Sequence, residues 1–222
     1  MYRQPDFSLH PKQKNMIIQL ESLPRLFLKP SAEHSSSEVL FCKFSSDLVN
    51  YISFRSLDIQ KGIELIYNWV HQPYALEFWK MDVSKDCLIE TYSSILASPH
   101  AHSFIGLLGS KPVCQIDVYR VLADELSSHF EVDTEDCGMH LLMAPNNGRI
   151  KGLTKMMVAA FLKFYFSFPV AGNMYGEPDT NNVKAKKVLD SLGFEYLKEA
   201  ELSYKTASVY KITRKSFTPI IF

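Results

Sequence analysis

The chain has 222 residues, of which 46% are hydrophobic and 22% charged, and its 24 basic and 24 acidic side chains cancel. This length and composition predict one large globular domain, alone or with a short extension, and argue against long disordered segments. A net charge of zero argues against a protein that neutralises many phosphates, so we expect no nucleic-acid partner.

The four cysteines are scattered singly, without the close pairs or histidine spacing of a zinc site. We therefore expect reduced thiols and no metal. The first 15 residues lack the apolar core of a signal peptide, and the most apolar stretch, residues 156–172, is interrupted by Lys163 and Pro169 and is short for a bilayer span. These features predict a cytoplasmic protein without membrane association, and they leave monomer and homodimer open.

Residues 1–50 are predicted to form an N-terminal extension. Two strand-like runs at 25–30 and 38–44 are separated by the serine-rich, turn-prone residues 31–37. This pattern predicts a β-hairpin that precedes a single domain over residues 51–222.

The first half of that domain begins with a strand at 51–57, and Asp58 then stands where a helix N-cap is expected. A second helix is predicted at 84–96. Two strands at 103–108 and 113–119 follow, and the glycine and proline between them predict a hairpin turn.

The second half alternates strands and helices. After a polar loop at 121–137, a strand is predicted at 138–143, and a helix with one strongly apolar face starts at Leu153. The last elements are a short strand, a helix and two strands, at 173–177, 181–192, 194–202 and 208–213.

The segment from Arg149 to Thr154, with the sequence RIKGLT, opens the apolar helix. Main-chain N–H groups at a helix start, the helix dipole and two cations together form a site suited to a pyrophosphate. A loop with two solvated cations is the alternative interpretation of these six residues alone.

Four separated motifs resemble one family, the acetyltransferases that make hydroxamate siderophores, which have the GNAT fold. Residues 177–182, EPDTNN, followed by Ala185 and by Gly193-Phe194, resemble the E-P-D-x-x-N-x-x-A and G-F motifs of that family. Residues 138–142, GMHLL, resemble its G-[IV]-H-L-L strand. Residues 149–154 resemble the coenzyme A loop of GNAT enzymes.

The fourth motif is the opening helix with Asn68-Trp69, followed by Pro73 and by residues 77–79, EFW. With it, the resemblance extends over about residues 52–215 in the right order. It implies an α/β fold in which a mixed, mainly antiparallel seven-stranded sheet is flanked by helices. It also implies transfer of an acetyl or similar acyl group from coenzyme A to an N-hydroxylated amine such as N6-hydroxylysine, without a metal.

In such a fold two strands splay apart, and the main chain of residues 141–144 would bind pantetheine and polarise the thioester carbonyl. The cofactor-binding residues implied by the resemblance are Leu141, Leu142, Met143, Arg149, Lys151, Gly152, Leu153, Thr154 and Asn182.

His140 is the candidate general base, because a neutral imidazole can accept a proton near pH 7. A lone histidine on an apolar strand is more often a packed core residue, and the resemblance reverses that preference. Asp179 is either a helix N-cap or, as the resemblance implies, a carboxylate that binds the acceptor and orients His140.

The substrate-binding candidates are Trp69, Trp79, Tyr119, Glu177 and Lys205. The tryptophans have core packing as their alternative role, and Lys205 has solvation. Tyr119 and Asp117 end a strand that faces the cleft in the family.

Two alternatives stay open, and two positions that depart from the usual GNAT pattern motivate the first of them. Leu189 replaces the usual GNAT tyrosine that protonates the leaving thiolate, and Ile150 replaces a glycine. A GNAT-shaped binding protein without catalysis is one alternative. An aminoglycoside 6′-N-acetyltransferase is another, although those enzymes usually have Asp in the place of His140 and Tyr in the place of Leu189.

Overall fold

The computed structural model describes residues 23–31, 33–145 and 150–218. Its strands are β1 (Val39–Ser45), β2 (Asn50–Ser56), β3 (Ala101–Leu108), β4 (Lys111–Arg120), β5 (Cys137–Met143), β6 (Met174–Gly176), β7 (Glu195–Leu202) and β8 (Lys205–Ile212). Its helices within these ranges are α1 (Ile59–Val70), α2 (Pro73–Trp79), α3 (Lys85–Ala97), α4 (Leu153–Tyr165) and α5 (Val183–Ser191).

The strands form one eight-stranded sheet in the order β1-β2-β3-β4-β5-β6-β8-β7. The pair β5–β6 is parallel and the other neighbouring pairs are antiparallel. The predicted mixed, mainly antiparallel sheet is therefore confirmed, but it has eight strands and not the predicted seven, because β1 of the N-terminal segment joins it. The short helix α2 is an addition, since its residues were not expected to form an element of their own.

The predicted hairpin is formed by other strands than expected. β1 pairs with β2, whereas residues 25–30 form no strand. Leu26 N donates to Pro99 O at 2.8 Å, and the Lys29 ammonium donates to the carbonyls of Leu96 and Ser98 at 2.5 and 2.6 Å. The hydrogen bonds of this segment thus go to the end of α3, and its leucines enter the core. The domain division after residue 50, which would fall after the first residue of β2, stays a prediction.

Side-chain caps determine where the helices begin. Asp58 accepts hydrogen bonds from the first turn of α1, as predicted, and Ser84 accepts from Cys87 N at the start of α3. Such caps each stabilise a helix by about 1 kcal/mol. At α5 the cap is Asn182, which accepts from Ala185 N at 3.0 Å, so the helix-cap alternative for Asp179 is wrong.

The sheet is covered on both faces, because successive side chains of a strand point to opposite sides. On the face that we call the α4 face, Phe54, Phe104 and Cys114 pack against α4. On the opposite face, the α1 face, Ile105, Tyr119 and Leu142 belong to the cluster formed with α1 and α3. No helix in the described parts of the chain is long and apolar enough to cross a membrane.

Candidate active site

The strands β5 and β6 separate after two residue pairs. β5 pairs with β4 along its whole length, but with β6 only at Cys137–Met174 and Gly138–Tyr175. Beyond β6 the chain stays with β8, since Ser208 N donates to Pro178 O at 2.8 Å and Asp179 bridges Ala207. A gap therefore opens alongside the second half of β5.

Main-chain groups of β5 point into this gap. Cys137 N donates to Asn173 O on the β6 side, at 3.0 Å, whereas Ala144 N donates to Val113 O on the β4 side, at 2.9 Å. Because the main-chain groups of successive strand residues point to opposite edges, those of Leu141 and Met143 face the gap. Those of Leu142 face β4, and its side chain is buried, so the structure does not bring this predicted residue to the gap.

Helix α2 reaches over the gap. The Tyr74 hydroxyl donates to the carbonyl oxygen of Met143 at 2.7 Å. We did not predict this contact. The two residues lie 69 positions apart in sequence, and the contact depends on how α2 packs on the sheet.

Glu177 lies at the centre of a buried polar cluster beside the gap, with a side chain only 3% exposed. Its carboxylate accepts hydrogen bonds from the Tyr119 hydroxyl at 2.9 Å, from Lys205 Nζ at 2.5 Å and from His140 Nε2. A buried carboxylate is tolerated only when it is paired and hydrogen-bonded. Three partners, one of them a cation, meet this condition.

The cluster fixes the charge of Glu177 and the tautomer of His140. Burial raises the pKa of Glu177, but Lys205 and then His140 outweigh it and hold the pKa well below its usual range. An ionised carboxylate only accepts hydrogen bonds. His140 Nε2 must therefore carry the hydrogen, which makes Nδ1 the basic nitrogen of the neutral ring.

The pKa of His140 itself is raised above its ordinary value. Burial lowers it, but the Glu177 carboxylate more than compensates. The imidazole remains 16% exposed, and the rings of Trp79 and Tyr119 lie beside it at centroid distances of 6.1 and 5.0 Å. A partly accessible base between aromatic walls is suited to receive a proton from a bound amine.

Gly138 makes room for this arrangement. A Cβ atom there would overlap the Tyr119 ring, so a side chain at position 138 would push away the phenol that binds Glu177. The glycine of the G-M-H-L-L motif is thus explained by the close approach of the cross-strand tyrosine.

Other predicted residues lie elsewhere than expected. The carboxylate that binds the His140 imidazole is Glu177 and not Asp179, whose Oδ1 accepts from Asn181 N at 2.8 Å in a local turn. Glu177 and Lys205, both substrate-binding candidates, are paired with each other. Trp69 is only 4% exposed and belongs to the core, so it offers little surface to a substrate.

The start of α4 has the features predicted for an anion site. Gly152 precedes the helix with φ of 79°, which favours glycine, and no atom lies within 4 Å of where its Cβ would be. No acidic residue lies in the first turn, and no side chain caps it. Lys151 is exposed, Thr154 is half-buried and Leu153 is buried. Arg149 lies outside the described residues.

Two buried carboxylates near His140 were missed or given little weight. Asp117 lies opposite His140 in the β4–β5 ladder, and Asp124 is 6% exposed in the following turn. Burial raises the pKa of Asp124 to about 6. Polar side chains at alternate positions 115, 117 and 119 of β4 indicate that this face of the strand is not an apolar core, and that pattern could have drawn attention to Asp117.

Within the described ranges, no group of three His, Cys, Asp or Glu side chains is placed to hold a metal ion.

Comparison with known proteins identifies the family. Residues 58–202 match the acetyltransferase (GNAT) domain family, and this match covers more than half of the chain. The chain therefore belongs to that family and is an N-acetyltransferase of the GNAT type, which confirms the predicted fold and enzyme class.

Two curated relatives are named for the hydroxylamines on which they act. An N-hydroxyputrescine acetyltransferase of Acinetobacter baumannii is 25% identical over 80% of this chain and 84% of its own length. An N(6)-hydroxylysine O-acetyltransferase of Escherichia coli is 23% identical over 80% of this chain, which spans only 57% of that protein.

Solved structures agree on the fold. An uncharacterised protein of Bacillus halodurans has a TM-score of 0.76 with 24% identity, over 80% of this chain and 91% of its own. The aminoglycoside acetyltransferase AAC(6′)-Ib in complex with coenzyme A has a TM-score of 0.68 with 21% identity, over 74% and 96%.

Proposed function

We propose that this protein transfers an acetyl or similar acyl group from coenzyme A to the nitrogen of an N-hydroxylated amine, in the synthesis of a hydroxamate siderophore. The observation that carries the proposal is the accessible imidazole of His140, held by the buried Glu177 beside the gap between β5 and β6. The relatives that act on N-hydroxyputrescine and N(6)-hydroxylysine support the acceptor class.

The acyl donor would bind along β5. Its pantetheine arm would take the place of a strand, with its amides against the main-chain groups of Leu141 and Met143. One of these N–H groups would polarise the thioester carbonyl and stabilise the oxyanion that forms there. The pyrophosphate would lie at the start of α4, where the N–H groups near Gly152, the helix dipole and Lys151 favour an anion.

The acceptor would enter beside Trp79 and His140. An N-alkyl hydroxylamine is less basic than a primary amine, so its nitrogen is neutral and nucleophilic near pH 7. Asp179 follows Glu177 on the side of the gap that stays with β8, and we expect its half-buried carboxylate to contact the hydroxylamine. This role, like the cofactor contact of Asn182, stays a prediction.

The reaction then proceeds by attack and collapse. The nitrogen forms a bond to the thioester carbon, and its proton passes to Nδ1 of His140. The tetrahedral intermediate collapses with cleavage of the C–S bond, and the thiolate takes up a proton, so that the products are the hydroxamate and free coenzyme A. Glu177 holds the ring during transfer and stabilises the imidazolium.

The side chain at position 189 cannot donate the proton to the thiolate. Leu189 is buried, and its methyl group would lie 3.2 Å from a Cβ at Gly176, so it packs α5 against β6. A thiolate is a stable anion and can leave without a general acid. We therefore assign no side chain to this step.

The aminoglycoside acetyltransferases are the second candidate, because the AAC(6′)-Ib structures share this fold over most of their length. The test is to supply acetyl-CoA with N-hydroxyputrescine, N6-hydroxylysine or kanamycin and to measure release of the thiol. We expect turnover of a hydroxylamine and hydroxamate in the product. Turnover of kanamycin alone would contradict the proposal.

A further inference from the structure

A row of buried polar side chains crosses the α1 face of the sheet. Ser103 on β3 pairs with Asp117 on β4, and Asp117 pairs with His140 on β5, each as direct neighbours in antiparallel ladders. Ser103 is fully buried and Asp117 is 8% exposed. The row therefore places a second carboxylate beside the imidazole, on the side away from Glu177.

Asp117 is held in place by a buried amide. Gln115 is fully buried on the same face of β4, and its Nε2 donates both to the Asp117 carboxylate and to Ser103 Oγ, the latter at 2.9 Å. Its own Oε1 has no hydrogen-bond partner among the described atoms. The amide is thus oriented to restrain Asp117, although this leaves its oxygen unpaired at a cost in free energy.

The geometry brings Asp117 within electrostatic reach of His140. Directly opposed residues of an antiparallel pair have Cβ atoms about 4.5–5.5 Å apart, and both side chains are largely removed from water. The titratable groups that face the imidazole from the surrounding elements are Asp117 and Tyr119 on β4, Asp124 in the turn after β4, Glu177 after β6 and Lys205 on β8. The positive charge of Lys205 is paired with the Glu177 carboxylate.

We propose that Asp117 is a second positioning residue for His140, and that its carboxylate stabilises the imidazolium formed when the acceptor nitrogen gives up its proton. This inference rests on the proposed function of His140 as the base. The bond to Glu177 fixes Nε2 and the ring plane. Burial raises the pKa of Asp117, but the hydrogen bond from Gln115 and the facing imidazole favour its ionised form, which supplies negative charge from the β4 side. The effect of Asp117 on the imidazole needs no substrate and can be measured in the free protein.

The experiment follows the His140 ring by NMR in protein labelled with ¹³C-histidine, with its signal assigned by its absence in His140→Gln. In Asp117→Asn we expect the pKa of His140 to fall by about one pH unit. The low-pH limb of kcat/KM should move by the same amount. Asp117→Glu should restore most of the shift, because it returns the charge.

Asp136 offers a matched control. It is a buried aspartate, 1% exposed, that accepts from Asn173 N at 2.7 Å on the loop before β5. Asp136→Asn should leave the His140 titration in place. A purely structural role for Asp117 predicts that Asp117→Asn also leaves the pKa of His140 unchanged. An unchanged His140 titration in that variant therefore overturns the inference.

Two further outcomes are separable. A shifted His140 titration in a protein that acylates none of the amines supports the charge coupling and refutes the proposed function instead. If Asp117→Asn does not fold, the NMR signal of the Asp117 carboxyl carbon in wild-type protein labelled with ¹³C-aspartate replaces that test. We expect its chemical shift to change over the pH range in which His140 titrates, and a shift that stays constant there contradicts the inference.

Discussion

The α4 face and the α1 face of the sheet are built from the same central strands but bury different chemistry. On the α4 face, Phe161 meets Phe54 and Phe104 at ring-centroid distances of 5.1 and 5.4 Å. On the α1 face, the alternate residues of β4 and β5 include Asp117 and His140. Since side chains alternate along a strand, one strand can contribute to a close-packed core and to a polar site. We infer that stability resides mainly on the first face and reactivity on the second.

The sharpest test of this division is His140→Ala. Loss of a general base lowers kcat/KM by about 100- to 10,000-fold. Because the buried Glu177 loses one hydrogen bond but keeps Tyr119 and Lys205 as partners, unfolding should cost only about 1–3 kcal/mol less. Steady-state kinetics with acetyl-CoA and a hydroxylamine, together with calorimetry, measure both effects. A variant that keeps full activity would show that His140, and with it the polar site on the α1 face, does not take part in the reaction.

Phe161→Ala tests the opposite face. The ring is fully buried, so its removal should cost about 3–5 kcal/mol of unfolding free energy. The rate per folded molecule should remain close to that of the wild type. Urea unfolding and active-site-normalised kinetics test this, with Phe161→Leu as the milder control. A loss of rate without a loss of stability would contradict the division.

The third test is the pH profile. The base must be neutral, and the pKa of His140 is raised, so kcat/KM should fall as the pH is lowered through a value above 6.5, the ordinary pKa of histidine. Glu177→Gln removes the strongest raising influence and should move this limb about 1–2 pH units lower.

The exposed Glu199 on β7 provides the control for that profile. Glu199→Gln should leave the limb in place. A Glu177→Gln limb that stays at the wild-type pH would show that another group controls the titration.

The smallest expected effect is at the start of α4. Lys151→Ala should raise the KM for acetyl-CoA about two- to fivefold, since the side chain is exposed and its interaction with a phosphate is screened. The difference should shrink at high salt. Lys215→Ala, another exposed lysine, should have no effect on this KM, and equal effects of the two variants would indicate only a general charge contribution.

Much of the fold follows from local signals. The caps at Asp58 and Ser84, the turn between β3 and β4 and the apolar face of α4 are encoded within a few residues, and the elements that they bound form as predicted. The segment 25–30 was mistaken for a strand because alternation of apolar residues also arises when an irregular segment places Leu26 and Leu28 in a core. Its hydrogen bonds with α3 depend on tertiary packing.

The site was predicted less completely than the fold. The G-M-H-L-L and E-P-D motifs located His140 and Glu177, but the carboxylate that binds the imidazole depends on the register between β5 and β6. Because Gly138 pairs with Tyr175, His140 faces Glu177 two residues further on. That register is a long-range property that local sequence patterns do not encode. The contact between Tyr74 and Met143 could not be predicted for the same reason.

The gap beside β5 has a further consequence for how the protein can change. Its donor groups belong to the peptide backbone, so an alanine scan of Leu141 and Met143 would leave them intact and would underestimate their contribution. Only proline, or an ester in place of the amide, removes such a group. On the proposed function, binding of the acyl donor at this gap would therefore be insensitive to most point mutations. The residues that line the acceptor side would be free to diverge, so that new amine acceptors could arise without loss of the donor.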